Sequence, residues 1–247
     1  MVRTRSAERP TSIGGPPRKE LHGANSHQEG HAHGAAGPEG PVSTILDVGT
    51  RECTWDLIVH YPDVHHVLFE PLVEFRSAIT SAYANIRHDL VQVAVSDRTG
   101  ESALAIGAVS PGMAVSHSWL RHGDAADSDR VVPTVTLDDY VRSTRPAEPF
   151  LLKIDVDGEE SRVLRGAFEI LPRCSIVIVE VAVDEIVPRL SAVQERGFRL
   201  FDLTEPCYYD GALWQCDAVL VREDLFLTHF PQYTLDFDHS KYEMFMG

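Results

Sequence analysis

Two carboxylates, Asp155 and Asp157, close the run Phe150-Leu-Leu-Lys153-Ile-Asp155-Val-Asp157-Gly158. The run is mostly apolar up to Val156, as a parallel strand covered on both faces should be, and Gly158 permits a sharp turn. Ligands of open α/β sheets sit beyond the carboxyl ends of the strands. Asp155 is therefore placed to act as a base or as a ligand anchor. Asp47 and Glu70 end two earlier apolar runs, Ile45-Leu-Asp47-Val-Gly49 and Val67-Leu-Phe-Glu70-Pro71, spaced by about twenty residues. A carboxylate at the second position can accept both hydrogens of a 2′,3′-diol. His117 and His122 flank Trp119 in the segment 116–122 and are candidate bases near neutral pH. Each residue also has a plainer use: Asp155 and Asp157 in a helix-capping turn, Asp47 bonded to nearby backbone, Glu70 at a helix start, the histidines exposed in a loop.

The elements that must position these groups alternate along the chain. Val42 to Val48 reads as a strand, Cys53 to His60 as a short helix, His66 to Phe69 as a strand and residues 72–84 as a helix. Asp89 to Val95 reads as a third strand. Asp97-Arg98-Thr99-Gly100 is a turn, followed by a strand from Ser102 to Ile106. Residues 108–130 look irregular, and Thr134 to Tyr140 leads into a short helix. Strand 150–156, helix 159–171, strand 175–183, helix 184–196 and strand 198–203 follow, and a last strand covers 213–221. Glu159 and Glu160 suit the positive end of a helix dipole. Val163, Leu164, Ala167, Phe168 and Leu171 share one helical face. Turn formers between Glu205 and Gly211 predict a terminal hairpin. The pattern is that of an α/β domain with a mostly parallel sheet and helices on both faces.

Composition narrows the partners. The 247 residues suffice for one large α/β domain. A net charge of -15 argues against a nucleic-acid backbone and against an anionic membrane surface. No apolar run approaches a membrane span. The start of the chain lacks the apolar core of a secretory signal. Residues 1–41 hold seven glycines and five prolines with almost no large apolar side chains, so a disordered tail is expected there and a folded domain over 42–247. His22, His27, His31 and His33 are irregularly spaced, which fits a solvated tail better than a metal site. The four cysteines show no CxxC pairing and are read as reduced thiols of a cytoplasmic protein.

Five segments occur in order: Ile45–Gly49, Phe69-Glu70-Pro71, Val93–Asp97 with Gly100, Val135–Asp139, and Lys153–Glu160. This set resembles the FkbM family of S-adenosylmethionine-dependent methyltransferases over about residues 43–221. The resemblance implies a class I methyltransferase, Rossmann-like fold, with a seven-stranded, mostly parallel sheet and a terminal antiparallel hairpin. It implies S-adenosylmethionine as cofactor and methyl transfer to a hydroxyl of a small metabolite or sugar, as in natural-product biosynthesis. Asp47, Gly49 and the adjoining Thr50 match the first cofactor segment. Glu70, with Pro71 beside it, matches the ribose acid. Ala94, Val95 and Ser96 match the segment near the adenine, and Asp155 matches the acid at the end of the fourth sheet strand. The family usually carries a second glycine and an asparagine after Gly49, where this chain has Thr50-Arg51-Glu52-Cys53. It commonly has glutamate where Asp157 stands.

The expected catalytic groups are Asp155, as base or anchor, and His117, with His122 as a further candidate. The partner implied is a small-molecule acceptor, with no nucleic acid and no membrane, and a homodimer is compatible with the pattern. Tyr208, Tyr209 and Trp214 could wall the acceptor site or pack a strand edge. Asp155, Asp157 and Glu160 offer oxygen ligands to a divalent cation, but caps and ion pairs use the same groups, and no metal is expected. Two other activities share the early residues. An NAD-dependent oxidoreductase would use Asp47, Gly49 and Glu70, although the full GxGxxG run is missing. A non-catalytic binding module on the same fold would retain the sheet and lose the cofactor.

Overall fold

A computed structural model describes residues 42–107, 117–121, 126–127, 129–229 and 240. The expected tail, residues 108–116, and His122 lie outside the described residues, as does the side chain of His117. The chain runs through β1 (Thr44–Val48), α1 (Trp55–His60), β2 (His65–Phe69), α2 (Arg76–Ala82), β3 (His88–Val91), β4 (Ala94–Val95), β5 (Gly100–Gly107), β6 (His117–Leu120) and β7 (Arg130–Val135). It continues with α3 (Leu137–Thr144), β8 (Phe150–Ile154), α4 (Glu160–Arg165), β9 (Cys174–Ala182), α5 (Ile186–Gln194), β10 (Phe198–Tyr209), β11 (Ala212–Arg222) and α6 (Glu223–His229). Short 3-10 turns at Val73–Phe75 and Leu171–Arg173 precede α2 and β9.

Seven strands form the main sheet in the order β10-β11-β9-β8-β1-β2-β3. Its pairings are parallel except those of β11, which runs antiparallel to both β9 and β10. This is the class I methyltransferase arrangement anticipated above. Strand order reverses between β1 and β8, the position where open α/β sheets form their ligand crevice. Register puts Asp47 beside Lys153 and Val48 beside Ile154. Alternation then sorts the side chains. Leu46, Val48, Phe69, Leu152, Ile154 and Val179 face one way, under Val141 of α3, Val163 of α4 and Val193 of α5. Ile45 and Leu151 face the other way against Leu57 of α1, and Leu68 packs with Ile79 of α2.

A second sheet has four strands in the order β4-β7-β5-β6. Two expectations change here. The expected third strand from Asp89 to Val95 is split, because Val93 N–H turns back to the carbonyl of Val91 at 2.9 Å. The chain then leaves the main sheet, and Ala94–Val95 pairs with β7 instead. The stretch expected to be irregular contains β6, which pairs antiparallel with β5. The small sheet has its own core of Leu104, Leu120 and Val132 against Leu72. It is also tied to the turn after β2 by the ion pair of Arg130 with Glu74.

The helix expected over 159–171 stops at Arg165. Asp138 takes over the next helical bonds: its N–H donates to the Gly166 carbonyl at 2.9 Å and its Oδ1 accepts from the N–H groups of Glu169 and Ile170, both at 3.0 Å. Gly166 itself passes so close to Ser96 that a Cβ there would lie 2.2 Å from the Ser96 carbonyl oxygen. The terminal hairpin is longer than expected. Its strands continue past Glu205, with register shifts between Thr204 and Tyr208, and the reversal is confined to Asp210-Gly211. Both turn residues have positive φ (48° and 79°), as a two-residue hairpin of the Asp-Gly type requires. Among the described residues no helix is long and apolar enough to cross a membrane, and all four cysteines are free.

Gly166→Ala forces the added methyl into backbone rather than into a yielding side chain. It is expected to cost about 1–3 kcal/mol, the range for overpacking, read as a lower urea midpoint with an unchanged slope.

Candidate active site

A cavity of about 950 Å³ opens at the carboxyl ends of the main-sheet strands. Gly49, Thr50 and Arg51 after β1, Glu70 and Pro71 after β2, and Asp155 to Asp157 after β8 form much of its wall. Leu104, Ser118 and Leu120 of the small sheet contribute from another side.

The tips of β1 and β8 nearly touch. Asp155 N–H donates to the carbonyl of Val48 at 3.0 Å. Gly49 has φ of 89°, and a Cβ on it would sit 1.8 Å from the carbonyl oxygen of Asp155. Glycine is required there by the neighbouring strand, not only by a ligand. Arg51 next takes a left-handed conformation (φ 52°), unusual for a residue with a side chain. Its N–H donates to Glu70 Oε2 at 3.0 Å, and Leu72 N–H donates to Glu70 Oε1 at 2.8 Å. Each carboxylate oxygen is thus fixed by backbone and keeps further acceptor capacity. Burial raises the Glu70 pKa to about 7, against the opposing pull of those two N–H groups.

Asp47 lies behind this wall rather than in it. It is buried, its Oδ2 accepts from Thr54 Oγ1 at 2.8 Å and from Tyr83 at 3.4 Å, and Oδ1 has no hydrogen-bond partner among the described residues. Burial pushes its pKa up, with Lys153 and the two threonines Thr54 and Thr50 opposing. Ala94 and Val95 line the cavity. Ser96 does not: its N–H bonds to the carbonyl of Val135 at 3.0 Å, and its own carbonyl packs against Gly166. His117 begins β6, and its neighbour Ser118 donates its N–H to Asp157 Oδ2 at 3.1 Å. Asp157 itself has φ of 50°. Trp119, Tyr208, Tyr209 and Trp214 are all exposed and stand outside the lining.

Glu160 serves the fold. Its Oε1 accepts from the N–H groups of Val156 (3.2 Å) and Gly158 (3.1 Å), which shapes the turn carrying Asp157. Its Oε2 pairs with Arg189 Nη2 at 2.8 Å, and both side chains are almost fully buried. Arg189 also donates to the carbonyl of Glu180 at 3.0 Å. Among the described residues no group of three or more His, Cys, Asp or Glu is arranged to hold a metal ion.

Several charged groups to which the sequence assigned no site role also reach the cavity or its surroundings. Lys153 sits in the wall, 2.9 Å from Asp155 Oδ2 and 3.6 Å from Asp217 Oδ2. Burial works against its charge, yet Asp155 and Asp217 hold its pKa above the usual lysine range. Burial raises Asp217, and Lys153 opposes. Glu180 rises to about 8 through burial and the nearby Asp155, Glu160, Asp157 and Asp217. Asp56 and Glu205 also reach the wall. The overlooked signal was a charge inside an apolar strand, Lys153 in Phe150–Ile154 and Asp217 in Cys216–Leu220.

The methyltransferase FkbM domain model matches residues 47–200. The chain belongs to that family, and it is a methyltransferase with S-adenosylmethionine as its methyl donor. No curated protein matches the chain. Among solved structures, an rRNA methylase from Streptococcus thermophilus shares 13% identity over 74% of this chain and 87% of its own, with a TM-score of 0.42. A precorrin-6y C5,15-methyltransferase from Geobacter metallireducens shares 8% over 75% and 83%, at 0.39. A ribosomal protein L11 methylase from Lactobacillus delbrueckii subsp. bulgaricus shares 10% over 73% and 69%, at 0.41.

Arg189→Met removes one half of a buried ion pair and strands Glu160. Loss of about 3–5 kcal/mol is expected, measured by chemical denaturation followed by circular dichroism.

Proposed function

We propose that this chain methylates a hydroxyl oxygen of a small-molecule acceptor, with Glu70 holding the ribose of the donor and Asp155 receiving the acceptor's proton. The observation that carries the reading is that Glu70 and Asp155 line one cavity from opposite sides of the β1 tip, each fixed in place. The residues suit the donor chemically. Glu70 presents two fixed oxygens to a diol. Leu72, Phe75, Val93 and Leu104 offer apolar surface for a purine. The carboxylates of Asp155 and Asp217 suit a positively charged centre.

Bound there, S-adenosylmethionine supplies an electrophilic methyl group on a good leaving centre. The protein's remaining task is to align the acceptor oxygen and take its proton. Asp155 performs the second part. The net charge of -15 supports a small acceptor over a nucleic-acid backbone.

Glu70→Ala is expected to weaken S-adenosylmethionine binding by more than about tenfold in calorimetry, the loss of two charge-assisted hydrogen bonds. The pH dependence follows from the raised Glu70 pKa of about 7. The diol needs the ionised carboxylate, which is present above that value. Affinity for S-adenosylhomocysteine should therefore fall as pH drops through 7, and Glu70→Gln should flatten the profile. To find the acceptor class, radiolabelled donor is incubated with cell extract, which is then separated into small molecules, RNA and protein. Label is expected among the small molecules. Label confined to RNA overturns the proposal, and so does a folded protein that binds no donor.

A further inference from the structure

We propose that Lys153 is a positioning residue for methyl transfer: its ammonium ties Asp155 to Asp217 and sets the charge that faces the donor's reactive sulfur. The inference rests on the reading that Asp155 lies beside that sulfur.

The geometry is specific to a long cation at this position. Lys153 is in β8 and Asp155 follows just past its end, two residues on, so both side chains leave the chain on the same side. Asp217 belongs to β11, and β9 lies between the two strands. Register puts Ile178 of β9 beside Lys153, and Glu180 beside Asp217. Two strand spacings amount to roughly 10 Å, a gap that a lysine stem can bridge over Ile178. The side chain of Lys153 is 12% exposed and that of Asp217 11%, whereas Asp155 stays 43% exposed towards the cavity. The ammonium is thus anchored in the sheet, and the carboxylate it holds is the accessible one.

The surrounding charge gives this arrangement its consequence. Asp47 stands on β1, Asp157 after β8, Glu180 on β9, Glu205 on β10 and Asp56 on α1. Among the described residues lining the cavity, the cations are Lys153 and Arg51. Arg51 is directed to Phe75, with its guanidinium 5.8 Å from the ring centroid. Lys153 is therefore the group that offsets Asp155 and Asp217. Without it, two carboxylates would face each other and the sulfur site with no counter-charge. Asp155 would also lose the contact that holds its Oδ2 in place.

S-adenosylmethionine and S-adenosylhomocysteine differ at the sulfur by one methyl group and one positive charge. The ratio of their dissociation constants reports the charge near that atom and cancels general damage to the pocket. Calorimetry with both ligands is carried out on the full chain and on Lys153→Met, Lys153→Arg, Asp155→Asn and the double variant K153M/D155N. Lys153→Met is expected to raise the preference for S-adenosylmethionine by about fivefold or more, the effect of one lost positive charge at short range in a partly buried site. Lys153→Arg should stay within about twofold of the parent, because the charge is restored. Asp155→Asn should lower the preference. In its background the Lys153→Met effect should shrink, as coupled residues require.

An unchanged ratio in Lys153→Met, or equal weakening of both ligands, overturns the proposal. So does an undiminished Lys153→Met effect in the Asp155→Asn background. If Lys153→Met does not fold, Asp217→Asn is measured instead. A fall in the preference for S-adenosylmethionine then supports the cluster, and no change overturns it. A parent protein that binds neither ligand refutes the functional reading itself, which is a distinct outcome.

Discussion

The contact on which the site depends is the approach of two strand tips. Gly49 and the carbonyl of Asp155 lie so close that a single added carbon would overlap the oxygen. Because of that approach, the loop leaving β1 and the turn leaving β8 share one wall. The Arg51 N–H is brought to Glu70, and the Glu70 carboxylate is fixed between the loop after β1 and the turn after β2. The left-handed Arg51 is part of the same arrangement. Its backbone adopts a strained region and donates the hydrogen bond that orients the acid.

The turn after β8 is held by a different device. Glu160 gives one oxygen to the backbone of Val156 and Gly158 and the other to Arg189. A buried pair of this kind contributes little net stability compared with an apolar substitute, because desolvation offsets the attraction. Its effect here is geometric. It determines where the turn goes, and the turn carries Asp157 and the start of α4. Asp157 in turn receives the Ser118 N–H, which ties the small sheet to the main one across the cavity.

Much of this was legible in the amino-acid order because strand ends announce themselves. An apolar run that stops at an acid and a glycine is readable in Ile45–Gly49, Val67–Pro71 and Phe150–Gly158. These runs gave the main sheet and most of the cavity wall. The small sheet was less visible. The departure of Ala94 from the main sheet depends on a bend at Gln92-Val93, which no strong turn former marks. Asp47 shows another limit. Its strand-end position is readable, but its hydrogen-bond partners Thr54 and Tyr83 come from later in the chain, and their convergence on Asp47 depends on how α1 and α2 pack. The pairing of Lys153, quoted as the first residue of its segment, with Asp217 was not readable, because each is embedded in an apolar strand. The distance between them depends on a strand order that adjacent residues do not reveal.

The small sheet is spliced into the connection between β3 and β8, with its own core of Leu104, Leu120 and Val132. That core is not separate from the parallel frame: it includes Leu72, whose N–H holds Glu70, and its Ala94, Leu104 and Leu120 line the same cavity. Repacking of the spliced sheet would therefore shift the backbone donor beneath the Glu70 carboxylate, so the two layers are bound to drift together.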